Sequence, residues 1–233
     1  MLVAISAAHG RHAITRAWAE HTASLGFDAV CVSVSIGDES NMSMFSGMPY
    51  AGTLMRCELM DNDPLAGKFN AALHSAMELG ATRIMILPSD DFVSPAWVHA
   101  ARTHEGDYLY PHECGIVDAA SQQAYVIRKL SFGQLKYGAG RVVSRKVVDA
   151  LGGKLWPELL NRGLDSASHA AITKARFPIT IVKTEGIPIT DVKTAENIWS
   201  FRTWQGSGTV IGVDEALHMV SPSVRAQLDA LRQ

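Results

Sequence analysis

The sequence predicts an α/β protein: a mostly parallel sheet with helices on both faces, folded as a single compact domain. Three observations predict it. Short apolar runs alternate with segments of helical spacing through the first 110 residues. Those runs are apolar along their whole length, as strands buried on both faces require. Successive runs are also separated by a helix rather than a tight turn, which implies parallel crossovers.

Leu2 to Ala8 is the first strand, and Ile14 to Leu25 has helical spacing that Gly26 stops. Phe27 to Ile36 holds the β-branched second strand and ends at Gly37-Asp38-Glu39. Residues 40–63, rich in Met, Gly and Pro, are expected as a loop around a short third strand near Thr53 to Leu59. Pro64 opens a helix that runs to Leu79 and is closed by Gly80. Ile84 to Leu87 is the fourth strand, Pro95 to Thr103 a helix, and Asp107 to Pro111 a fifth strand.

The fourth strand organises the rest. Its apolar run stops at Pro88 and is followed by Ser89, Asp90 and Asp91. In an α/β sheet, ligands bind beyond the carboxyl ends of the strands. Two adjacent carboxylates repel and raise each other's pKa unless a cation intervenes, and a divalent metal is a common remedy. The same residues also suit a solvated turn that leads into a helix cap.

The second half is less regular. Gln123 to Lys129 is expected as a strand, Tyr137 to Gly140 as a tight turn and Arg141 to Leu151 as a helix ended by Gly152-Gly153. A helix follows from Ser166 to Arg176, then short strand-like pieces at Ile179 to Val182 and Ile187 to Ile189. Residues 213–233 are expected as one or two helices with Pro222 as a break.

Composition narrows the function classes. The 233 residues are 47% hydrophobic, enough for one full core. A formal net charge of −2 supplies no global field for a polyanion, so any nucleic acid would need a local basic patch. No apolar run reaches membrane-spanning length and no leader pattern opens the chain, so a cytoplasmic location without membrane partners is expected. Cys31, Cys57 and Cys114 are odd in number and widely spaced, which favours reduced thiols over disulfides or zinc. The loop Ala8-His9-Gly10-Arg11 lacks the dinucleotide-binding glycine fingerprint, and no P-loop is present.

Four stretches together resemble the GT-A glycosyltransferases, in particular the inverting family-two type that uses nucleotide-diphosphate sugars. Gly67-Lys68-Phe69-Asn70 looks like the Lys-x-Asn helix that precedes the metal strand in that family. Ile86 to Pro95 is similar to its acidic DXD strand end, with Ser89 in the first acidic position. Gly138-Ala139-Gly140-Arg141 looks like the stretch lining the acceptor side. Asn161 to Asp165 is similar to the helix start that supplies the general base, with Leu164 where Glu is usual.

The resemblance implies a Rossmann-like catalytic domain over residues 1–212, with a nucleotide-sugar half (1–115), an acceptor half (116–212) and a helical tail (213–233). By the same resemblance Asp91 would bind Mn²⁺ or Mg²⁺, and Asp90 the ribose or a metal-bound water. Lys68, Asn70 and Arg11 would serve the nucleotide, expected as a UDP-sugar, and Asp165 would take the acceptor proton. Asp191 to Thr194 reads either as a solvated turn before an edge element or as part of a mobile segment that folds over the diphosphate, for which Lys193 and Asn197 would supply the cation and donor.

The acceptor expectation rests on Arg128, Lys129, Lys136, Arg141, Arg145 and Lys146, the basic concentration of the chain, interleaved with Tyr125 and Tyr137. Arg141 and Arg145 would then bind the acceptor, either DNA carrying hydroxymethylated pyrimidines, as in phage-type enzymes acting in a host cytoplasm, or a saccharide. Two alternatives remain from the sequence: a sugar nucleotidyltransferase, and a nucleotide-sugar-binding protein without catalysis.

Overall fold

The computed structural model describes residues 1–47, 54–128, 138–194, 201 and 208–231. Seven strands make the main sheet: β1 (Leu2–Ala8), β2 (Ala29–Ser35), β3 (Leu54–Met60), β4 (Arg83–Ile86), β6 (Tyr108–Pro111), β9 (Val142–Ser144) and β10 (Thr180–Val182), in the order β10-β6-β9-β4-β1-β2-β3. The pairs β1·β2, β1·β4, β2·β3 and β6·β10 are parallel, and β9 runs antiparallel between β4 and β6.

Strand alternation divides the core into two faces. Leu2, Ala4, Val30, Val32 and Met85 join one cluster with α1 (His12–Ala23), α4 (Pro95–Thr103) and α8 (Pro222–Ala230). Val3, Ile5, Ala29, Cys31, Ile84 and Ile86 join the other, with α3 (Leu65–Glu78), α5 (Arg145–Ala150) and α6 (Leu164–Lys174). Helices therefore cover both faces, as expected.

Three local expectations are corrected. A helix, α2 (Glu39–Gly47), stands where a loop is expected, because Asp38 caps it: the Asn41 amide donates to the Asp38 carboxylate at 3.3 Å. Arg141 to Leu151 is not one helix; the β-branched pair Val142-Val143 pairs with β4, and α5 begins only at Arg145, capped by Ser144. Pro222 does not break a helix but starts α8, after the short α7 (Val213–Ala216), with Ser221 as its cap.

The largest correction is a second sheet. It has five strands, β5 (Asp91–Val93), β7 (Cys114–Asp118), β8 (Gln123–Ile127), β11 (Ile189–Lys193) and β12 (Thr209–Ile211), in the order β12-β8-β7-β11-β5. Asp191 and Lys193 are thus part of an interior strand flanked by β7 and β5, buried on both sides, and not of a mobile segment. Asn197 lies outside the described residues.

Candidate active site

Parallel strands end together. β1, β2 and β4 stop at one edge of the main sheet, and the reversed β9 brings Gly140 and Arg141 to that same edge. There the Ile86 amide donates to the Arg141 carbonyl at 2.9 Å, and the Gly140 amide donates to the Ile86 carbonyl at 2.8 Å.

Just beyond this edge the chain turns at Ser89-Asp90 and enters the second sheet at Asp91. Arg11, in left-handed backbone at the start of α1, donates from Nη1 to Asp90 Oδ2 at 2.8 Å and from Nη2 to Ser89 Oγ at 3.3 Å. Ser89 in turn donates to the Ala7 carbonyl, which ties the turn to β1. Burial works against the Arg11 charge, but Asp90, helped by Asp191 and Asp91, more than offsets it and raises the pKa.

Asp91 faces Asp191 directly across the β5·β11 ladder. Both are buried, and Asp191 Oδ2 accepts from Lys193 Nζ at 2.5 Å. Burial first, then Asp191 and Asp90, push the Asp91 pKa well up; Lys193 opposes them, and Asp165 adds to the rise. Asp91 is thus acted on electrostatically by Asp165 and by Asp191 and Lys193 of β11, although the chain separates it widely from all three.

Asp165 opens α6 after Gly163. Its Oδ1 accepts from Arg141 Nη2 at 3.0 Å, and its side chain keeps 45% exposure while that of Arg141 has none. Burial raises the Asp165 pKa, against the lowering pull of Arg141, the Gly138 amide and Lys193.

The other expected site residues are placed differently. Lys68 is buried, with Nζ donating to the Ala8 carbonyl at 2.6 Å and Ser35 Oγ at 2.8 Å, so it ties the ends of β1 and β2 beneath the site. Burial pushes its pKa down to about 8. Asn70 donates to the Trp156 carbonyl at 2.9 Å and anchors the 155–156 loop to α3. Arg145 begins α5, which follows the opposite end of β9, and its amide donates to the Thr82 carbonyl before β4. Arg141 and Arg145 are therefore not one acceptor patch: the first is buried and paired at the site edge, the second lies at the far edge. Lys129 and Lys136 lie outside the described residues.

Sequence reasoning passed over Asp38, which closes β2 at the same edge. Its carboxylate accepts from the Gly10 amide at 2.8 Å, His12 Nε2 at 2.9 Å and Asn41 Nδ2 at 2.7 Å, binding the β1–α1 loop to α2. The strand-end rule that singled out Asp90-Asp91 applies equally to Asp38 and would have found it.

No protein-family model matches the sequence, and no curated protein matches it. Solved structures do. S. aureus TarS in complex with UDP-GlcNAc superposes with a TM-score of 0.61 at 14% identity, over 84% of this chain and 59% of that one. HddC from Yersinia pseudotuberculosis gives a TM-score of 0.52 at 10% identity, over 100% of both chains. The chain has the GT-A fold. A putative glucose-1-phosphate thymidylyltransferase from Bacillus anthracis also matches, with a TM-score of 0.52 at 11% identity over 100% of this chain and 95% of that one. This GT-A chain spans about 60% of the TarS 1–349 structure's length. Among the described residues, no helix is long and apolar enough to cross a membrane.

Proposed function

We propose that the protein is a metal-dependent glycosyltransferase that moves a sugar from a nucleotide-diphosphate sugar to an acceptor hydroxyl. One observation carries the reading: the half-exposed carboxylate Asp165 is hydrogen-bonded to Arg141, which pairs with Ile86 at the end of the strand that leads into Asp90-Asp91, so both acidic features share one sheet edge.

The donor set suits Mg²⁺ or Mn²⁺. These cations take hard oxygen ligands, commonly one or two carboxylates beside substrate phosphates and water. Asp91 and Asp191, opposite one another on β5 and β11, would hold the ion. Among the described residues no three His, Cys, Asp or Glu side chains form a fuller metal cage, which leaves the remaining positions to phosphate and water. The ion would neutralise the charge that develops on the diphosphate. Arg11 and Lys193 would add to that neutralisation, and Asp90 would orient the ribose or a metal-bound water.

Asp165 would take the proton of the acceptor hydroxyl as its oxygen bonds to the anomeric carbon. The bond from that carbon to the phosphate oxygen breaks, and its electron pair leaves with the diphosphate. Residues 1–115 would supply most of the donor side and 116–212 the acceptor side, a division that Asp191 and Lys193 cross. The hydroxymethylated-DNA acceptor rested on a single basic patch, and the separation of Arg141 from Arg145 removes that support.

Nucleotidyl transfer is the second reading, favoured by the superposition on the putative thymidylyltransferase, which covers 100% of this chain and 95% of that one. Against it stands the short link His9-Gly10-Arg11 between β1 and α1, where such enzymes carry a glycine-rich loop with Arg and Lys. A thermal-shift panel of UDP-glucose, UDP-GlcNAc, GDP-mannose and CDP-glucose, with and without Mn²⁺, tests the proposal. The expected result is stabilisation by one nucleotide class that needs Mn²⁺, is lost in Asp91→Ala, and is accompanied by slow release of the nucleoside diphosphate. Stabilisation by nucleoside triphosphates instead, with pyrophosphate release on adding a sugar 1-phosphate, would overturn it in favour of nucleotidyl transfer.

A further inference from the structure

We propose that Arg141 is the positioning residue of the base: it fixes one oxygen of Asp165 so that the rest of the carboxylate faces the acceptor. The inference rests on the assignment of Asp165 as the base.

Arg141 cannot itself meet an acceptor, since its side chain is fully buried. Its N–H groups are all directed inward: Nε donates to the Gly138 carbonyl at 2.9 Å, Nη1 to Tyr108 Oη at 3.1 Å, and Nη2 to Asp165 Oδ1 at 3.0 Å. Nη1 also lies 3.3 Å from the Asp165 carbonyl, so main chain and side chain of one residue are held by one guanidinium. The planar fork is fixed from behind. Tyr108 Oη is 2.9 Å from Tyr110 Oη and 3.3 Å from His169 Nδ1, and the Tyr110 ring centroid is 5.9 Å from the guanidinium carbon. The main chain is fixed too, because the Arg141 carbonyl accepts from Ile86 within the sheet. Asp165 is thereby registered against β4, the strand that leads to Asp90 and Asp91.

Gly138 is the other half of the clamp. Its amide donates to the Asp165 carboxylate, and a Cβ at this position would lie 1.5 Å from Asp165 Oδ1. Any side chain there would eject the carboxylate from its seat. A buried ion pair is in general a weak stabiliser, so the arrangement is better accounted for by what it orients. The groups acting on Asp165 are Arg141 ahead of β9, Lys193 on β11 and Asp91 on β5; Tyr108, Tyr110 and His169 reach it only through the guanidinium. Burial raises the Asp165 pKa and Arg141 is the foremost opposing influence, so loss of the guanidinium moves the carboxyl further up.

The test follows the Asp165 carboxyl carbon by NMR across pH, assigned by its disappearance in Asp165→Asn, in the wild type, Arg141→Gln, Arg141→Lys and Gly138→Ala. In parallel, turnover is measured for the sugar nucleotide that stabilises best in the panel above. Arg141→Gln is expected to raise the Asp165 midpoint. Arg141→Lys, which keeps the charge and loses the fork, is expected to leave the midpoint near that of wild type. All three variants are expected to lower kcat about a hundredfold, as misplacement of a catalytic group does, with KM changed less than twofold. Gly138→Ala keeps Arg141 and decides the matter if Arg141→Gln does not fold. A folded Gly138→Ala or Arg141→Gln protein with wild-type kcat and midpoint overturns the positioning role. Full turnover in Asp165→Asn overturns the base and the positioning role with it, while any midpoint shift in Arg141→Gln still reports the contact between the two residues.

Discussion

The two ends of the main sheet carry the same residue types in opposite circumstances. At the carboxyl end of β4, Arg11–Asp90, Lys193–Asp191 and Arg141–Asp165 are ion pairs with at least one partner largely withdrawn from water. At the other end, Lys146–Asp107 and Arg145–Asp149 are solvated, with Lys146 73% exposed. Sequence alone presents Arg141, Arg145 and Lys146 as one basic stretch. The fold sends the first to the buried end and the other two to the wet end. Coulomb's law is the same at both, but the effective dielectric is not: the buried pairs can orient groups strongly, whereas at the wet end Ser144 and Lys146 lower the Asp107 pKa but contribute little to stability.

Substitutions can break or sharpen this contrast. Asp165→Asn is expected to have the largest effect, a loss of about 10²- to 10⁴-fold in sugar-nucleotide turnover, the range a general base supplies. Donor binding in the thermal-shift assay should survive, because Asp165 is not among the proposed metal ligands.

Lys193→Met comes next. It strips the close cation from Asp191 and Asp91, and urea unfolding should show a loss of about 3 kcal/mol, typical of breaking a buried pair from one side. The double variant with Asp191→Asn should lose less than the sum of the two single changes, a coupling that a double-mutant cycle reads directly.

Lys68 provides a pH-dependent effect of up to about 3 kcal/mol, since its pKa falls from 10.5 to about 8 on folding. The unfolded chain binds the proton more tightly, so this group contributes stability that grows as pH rises from about 8 to 10.5 and is absent below that window. Urea unfolding at pH 8 and pH 10 should show the wild type gaining on Lys68→Met at the higher pH. An opposite slope would mean that the Lys68 charge is compensated more fully than its burial indicates.

The smallest effect belongs to the wet end. Lys146→Ala and Arg145→Ala should each change stability by less than about 1 kcal/mol and leave donor binding unchanged. A large loss in either would break the contrast between the two ends.

Much of the main sheet was legible because its signals are local. The apolar runs at Leu2 to Ala8, Ala29 to Val34 and Ile84 to Leu87 specify strands buried on both faces, and Gly26 and Gly80 punctuate the helices between them. The second sheet was not legible. β5 and β12 have three residues each, and β11 obtains its partners from residues 91–93 and 115–118, roughly seventy to a hundred positions away. Nothing local distinguishes such a strand from a loop.

The same division holds within the site. The sequence by itself determined that a strand of the parallel sheet ends just before Asp90-Asp91, since Pro88 has no amide to donate to the ladder. It determined equally that a carboxylate, Asp165, opens a later helix. Tertiary structure alone decided that Asp191 faces Asp91, that Lys193 is a buried counter-ion rather than part of a lid, and that Arg141 turns inward to hold Asp165. Those outcomes depend on long-range strand register and on which charges lose water, and both are set only when distant segments pack together.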